Sequence, residues 1–148
     1  MRVSVIGGGT ITDDQRERAT AVGRELGSRD HTVVCGGRGG TMEAVCQGAK
    51  AEGGETIGIL PSSRRSEANP YVDVAIATGL GHARNAMVPL NGDAVIALTG
   101  GPGTLTEIGF ASIYERPVVG LETHDVLGID VVETAAEAVD AVERAVCE

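Results

Sequence analysis

Short apolar, β-branched runs recur along the chain, and each is followed by a turn and then by a helical pattern. The runs are VSVI (3–6), TVVC (32–35), TIGIL (56–60), VDVAIA (72–77), DAVIAL (93–98) and PVVGL (117–121). Each is apolar without strict alternation, as a strand covered on both faces requires. Between them, Ala19, Val22 and Leu26 fall on one face of a first helix, and Thr12 with Gln15 forms a capping box that opens it. Further helices are predicted from about Thr41 to Glu52, Gly81 to Leu90 and Thr104 to Glu115, with a last one opened by Thr134 and Glu137. Strands alternating with helices define a parallel sheet. The right-handed crossover rule makes it an α/β, doubly wound, mostly parallel Rossmann-like sheet with helices on both faces. No internal repeat or linker divides residues 1–148, so a single domain is expected.

Composition sharpens this picture. Aromatics are 2% of the chain and Trp is absent, so the core is built from Val, Ile, Leu and Ala. The 22 glycines are about twice the usual share of roughly 7%. They gather where the apolar runs end, which marks tight turns. The net charge of −9 argues against nucleic acid and anionic membrane as partners. Lys50 is the only lysine. Acidity with so little lysine fits adaptation to a salty cytoplasm and fits a high-GC coding bias equally. Cys35, Cys46 and Cys147 form no CxxC pair, so buried reduced thiols in a cytoplasmic protein are expected. The histidines His31, His82 and His124 match no zinc spacing, and no metal site is predicted. The N-terminal run enters a turn at once, as a first strand does and a signal peptide does not.

Candidate chemistry lies at the carboxyl ends of the strands, where such sheets bind ligands. Three glycine-rich turns occur there: GGGT (7–10), GGRGGT (36–41) and GGPGT (100–104). The dinucleotide fingerprint fails, because a third glycine and the ribose-binding acid are both missing, and there is no P-loop. Helix starts attract anions. Asp13 and Asp14 would repel one from the first turn. An anionic group is therefore expected between the second and third turns, on Gly36, Gly37, Arg38, Gly39, Gly40, Thr41, Gly100, Gly101, Gly103 and Thr104. Glu107 follows one helical turn later, and Thr104 with Glu107 also reads as a capping box. Arg84 is the chemical partner expected for Glu107, because it stands in a mostly apolar segment. Arg64 and Arg65 fall in a polar loop (61–70) read as a lid or rim.

On these residues the chain resembles the LONELY GUY, or lysine-decarboxylase-like, Rossmann superfamily. The resemblance rests on Gly100-Gly101-Pro102-Gly103-Thr104-Leu105-Thr106-Glu107, on Arg84 and on GGRGGTMEAV. Characterised members are phosphoribohydrolases that cut the N-glycosidic bond of cytokinin nucleotide monophosphates. The resemblance implies that the glycine loops hold a phosphate and that Arg84 and Glu107 serve catalysis. Two positions depart from those enzymes: Thr99 stands where they carry Pro, and Asn85 where they carry Lys. The stretch from Glu67 to Met87 looks more like a branch close to molybdenum-cofactor carrier proteins. The ligand expected is thus a small phosphorylated anion, either a nucleotide monophosphate or molybdenum cofactor. The two expected functions are binding with N-glycosidic hydrolysis, and non-catalytic carriage of the cofactor or a related oxyanion. A pyridoxal-dependent decarboxylase is excluded, because Lys50 lies away from the glycine turns and no other Schiff-base lysine exists. Apolar residues on several faces of the segments at 81–90 and after Thr104 predict at least a homodimer, as the resemblance also implies.

Overall fold

The computed structural model describes all residues 1–148 as one seven-stranded parallel sheet with helices on both faces. The elements in chain order are β1 (Arg2–Ile6), α1 (Asp13–Ser28), β2 (Thr32–Cys35), α2 (Thr41–Ala51), β3 (Thr56–Leu60), β4 (Val74–Ala77), α3 (Met87–Leu90), β5 (Ala94–Ala97), α4 (Pro102–Ile113), β6 (Val118–Gly120), β7 (Asp130–Val131) and α5 (Ala135–Cys147). The strand order is β4-β3-β2-β1-β5-β6-β7. The chain therefore winds outward from β1 to β4, crosses back to β5, and winds outward the other way. The switch falls between β1 and β5, which pair Val3 with Ala94 through to Ile6 with Ala97. Helices α1, α2 and α5 cover one face around Val5, Val33 and Ile96. Helices α3 and α4 cover the other around Ile6, Val34 and Val95. The chain thus leaves β1 toward one face and β5 toward the other, and a crevice opens between them. No helix is long and apolar enough to cross a membrane.

The structure corrects the expected elements in four places. A seventh strand, the exposed pair Asp130–Val131, adds to the edge of β6. The helix expected over 81–90 is a 3-10 turn at Gly81–Ala86 followed by the single-turn α3. Gly79 and Gly81 have positive φ there, and Pro89 has no N–H to continue an α-helical ladder. Helix α4 begins at Pro102, earlier than expected, with Gly101 as its N-cap and no side-chain cap. Thr104 and Glu107 are therefore no capping box, whereas Thr12 and Gln15 are one, with both bonds formed. Cys35 and Cys46 are buried as expected, but Cys147 is exposed.

The tightest packing joins α1 to α2 through two glycines. A Cβ on Gly23 would collide with the Val45 carbonyl, and one on Gly48 with the Thr20 carbonyl. Helix propensity alone makes Gly→Ala stabilising by about 1 kcal/mol. Here the backbone contact opposes it, and overpacking costs roughly 1–3 kcal/mol. Gly23→Ala is therefore expected to lower stability in urea unfolding, and a stabilised variant would contradict this packing.

Candidate functional site

A cavity of about 330 Å³ lies at the carboxyl ends of β1, β2 and β5, in the crevice at the switch. The turn after β1 supplies Gly7, Gly8 and Gly9, and the end of β2 supplies Gly36. The 3-10 turn brings His82, Arg84 and Asn85, while α2 adds Met42. Gly101, Gly103, Thr104 and Glu107 complete the wall from the start of α4. The turns are tied to one another. The Gly8 amide donates to the Thr99 carbonyl at 2.9 Å, and the Thr41 amide donates to the Gly8 carbonyl at 3.0 Å. Space is short beside these crossings, where a Cβ on Gly40 would lie 2.5 Å from the Gly8 and Gly9 backbone. A Cβ on Gly7 would lie 2.7 Å from the Thr41 side chain.

Arg84 and Glu107 face this cavity from opposite elements, and both are buried, at 9% and 6% exposure. The Arg84 guanidinium lies against the backbone of Gly36, where a Cβ would stand 2.7 Å from its Nη1. That Nη1 donates to Asn85 Oδ1 at 3.1 Å. Asn85 Nδ2 in turn donates to Thr106 Oγ1 at 3.3 Å, and the Thr106 hydroxyl donates to the Gly103 carbonyl at 2.6 Å. A chain of polar contacts thus runs from the arginine to the glycine turn of α4. Arg84 Nε is buried without a partner.

The electrostatics follow from burial rather than pairing. Loss of water draws the Arg84 pKa down, against the opposing pull of Glu107. The same loss pushes Glu107 up to about 8, with the Arg84 charge lowering it only in part. Glu107 is therefore largely protonated at neutral pH, and the cavity carries the arginine charge nearly uncompensated. Beneath Gly36, Cys35 and Cys46 touch at 3.5 Å between sulfurs. The Cys46 contact lowers the Cys35 pKa, and that contact together with burial raises Cys46.

Six of the expected residues line the cavity: Gly36, Arg84, Gly101, Gly103, Thr104 and Glu107. The rest of the second turn stands behind it. Gly37 and Gly40 take positive φ, and Thr41 packs on Gly7. Arg38 is exposed, with Glu67 3.7 Å away. Gly100 supports Thr104 from outside the lining, since a Cβ there would strike Thr104 Oγ1. The first turn, set aside for its acidic helix start, is part of the wall. Asp13 and Asp14 are exposed on α1, downstream of the backbone that the cavity uses. His82, Asn85 and Met42 were not expected to line it. Asn85 stood out in the sequence only as a departure from Lys.

Fold and site together define a doubly wound α/β protein whose switch-point crevice opens between glycine-rich turns and holds a buried arginine. The chain belongs to the SLOG cluster4 family, whose model it matches over residues 1–146. It is 32% identical to the molybdenum cofactor binding protein of the phototrophic bacterium Rippkaea orientalis. That superposition covers 98% of this chain and 96% of the other, with a TM-score of 0.92. The molybdenum cofactor carrier protein of Chlamydomonas reinhardtii is 31% identical, with 99% and 98% of the two chains covered and a TM-score of 0.89. Over 112 residues, or 70% of the chain, it is 34% identical to the cytokinin riboside 5′-monophosphate phosphoribohydrolase of Mycobacterium tuberculosis. The chain spans 60% of that enzyme's length.

Burial of Glu107 predicts a pH signature. The folded chain holds its proton up to about pH 8, whereas the unfolded chain releases it near the ordinary carboxylate value of about 4.3. Between these values the folded state binds the extra proton, so stability falls as pH rises. Glu107→Gln removes this dependence. Urea unfolding of the ligand-free variant should match wild type near pH 4 and exceed it by at least about 2 kcal/mol at pH 9. Parallel pH profiles for the two proteins would show Glu107 ionised in the fold.

Proposed function

We infer that the cavity binds a small phosphorylated ligand. Its phosphate lies against the backbone of Gly7–Gly9 and Gly101–Thr104, and Arg84 supplies the charge. The observation that carries this reading is the buried Arg84 guanidinium, which has an unpartnered Nε and no ion pair inside a cavity walled by glycine turns. Glycine lets the backbone approach a phosphate without Cβ interference. A protonated Glu107 adds no repulsion to an anion at neutral pH.

The protein carries this ligand rather than consuming it. The agreement with the two molybdenum-cofactor proteins, over the full length of both chains, supports carriage. Asn85, in the cavity wall, and Thr99, outside it, depart from the hydrolase pattern. The cargo is then molybdenum cofactor or a related phosphorylated species. Hydrolysis of a nucleoside 5′-monophosphate is the second reading, favoured by the retention of Arg84 and Glu107 together in one cavity. There Glu107 would act as its anion and Arg84 would orient the ribose. The protein acts in the cytoplasm as at least a homodimer. Leu105 and Ile113 on the outer side of α4, exposed at 46% and 72%, support the pairing.

AMP separates the two readings. Wild type, Arg84→Ala and Glu107→Gln are compared for AMP affinity by calorimetry and for release of ribose 5-phosphate. The expected result is binding without release, weakened at least tenfold by Arg84→Ala. Release of ribose 5-phosphate, cut about 10²–10³-fold in Glu107→Gln, would establish hydrolysis instead. No AMP binding at all would remove nucleotide monophosphates from the ligand class.

A further inference from the structure

The glycine turn that opens α4 is held from behind by a loop outside the cavity wall. Residues Glu122–His124 follow β6 and do not line the cavity. The Thr99 hydroxyl donates to the Glu122 carbonyl. His124 Nε2 donates to the Gly101 carbonyl at 3.1 Å. That carbonyl also accepts the Leu105 amide at 3.2 Å, the bond that starts α4. Thr99 ties the opposite wall too, since its own carbonyl accepts the Gly8 amide at 2.9 Å. One residue therefore links the turn after β1, the turn after β5 and the loop after β6.

Two features mark this brace as more than incidental contact. Glu122 has a φ of 53°, a left-handed conformation that costs energy for a residue with a Cβ and persists where the surroundings impose it. Its carboxylate is fixed by Arg18 of α1 at 2.9 Å. The strained residue is thus anchored on one side and presents its carbonyl to Thr99 on the other. The second feature is Thr99 itself, whose hydroxyl bonds one loop while its carbonyl bonds another.

We propose that Thr99 and His124 are positioning residues that hold Gly100–Gly103 in the shape that receives the ligand phosphate. This role rests on the phosphorylated-ligand reading. Glycine loses more conformational freedom on ordering than any other residue, so a free Gly100–Gly103 turn would lose that freedom at the moment of binding and weaken affinity. The brace orders the turn beforehand. His124 acts through a carbonyl that the ligand does not need, and it leaves the cavity-facing amides free.

The test combines hydrogen exchange of the ligand-free full chain with AMP calorimetry, on Thr99→Val, His124→Ala and His124→Gln. The brace predicts that Thr99→Val and His124→Ala speed exchange at the Gly8 and Leu105 amides about tenfold while core amides of β1 and β5 stay unchanged. AMP affinity should fall roughly five- to tenfold in both. His124→Gln restores an N–H donor and should recover most of both losses. Unchanged exchange at Gly8 and Leu105 would overturn the proposal, and so would acceleration spread evenly over the core, which marks a purely structural role. If wild type binds no AMP, the phosphorylated-ligand reading fails for nucleotides, and the exchange pattern still decides whether the brace exists.

Discussion

A guanidinium buried at the carboxyl rim of the sheet sets the terms for everything around it. Arg84 has given up most of its water, yet no carboxylate pairs with it, and its one side-chain acceptor is Asn85. It lies against Gly36, where a Cβ would displace both the guanidinium and the Met42 sulfur. Its charge lowers the Glu107 pKa too weakly to undo burial, so Glu107 keeps its proton at neutral pH. A buried cation of this kind costs stability unless a partner arrives. The natural partner for a positive, glycine-lined cavity is an anion.

The topology explains why the cavity lies there. Reversal of strand order between β1 and β5 sends their following segments to opposite faces, and the crevice left between them receives both glycine turns. The turns approach closely because Gly7, Gly40 and Gly100 leave room for Thr41, Thr104 and neighbouring backbone. The second turn is spent on this packing. It supports the cavity from behind and contributes only Gly36 to the wall.

Much of this was legible in the chain. Apolar runs announce six of the seven strands, five of them buried on both faces, while β4 at the sheet edge leaves Val74 and Ile76 exposed. β7 is not announced, because Asp130–Val131 is exposed and held by backbone pairing to β6 alone. Arg84 and Glu107 were recognisable as a pair, one by its apolar setting and the other by its motif. Glu107 also read as a cap, because Thr104 precedes it by three residues. Pro102, favourable in the first helical turn, moves the start of α4 back and leaves Glu107 inside the helix facing the cavity. The first turn also lines the cavity, which meets the backbone of Gly7–Gly9 before the helix start where Asp13 and Asp14 stand exposed. Asn85, Thr99 and His124 act through contacts between segments distant in sequence, which no local pattern encodes.

Burial keeps Glu107 protonated at neutral pH, which leaves the Arg84 charge in the cavity without an ionic partner. The most direct test of a phosphate seated at the switch between β1 and β5 is an amide NMR titration with AMP. The account predicts the largest shifts at Gly8, Gly9, Gly101, Gly103 and Thr104, with Arg84 Nε–H moving as it gains its missing partner. Shifts confined to Gly37–Gly40, with Arg84 Nε–H unmoved, would place the ligand elsewhere and contradict it.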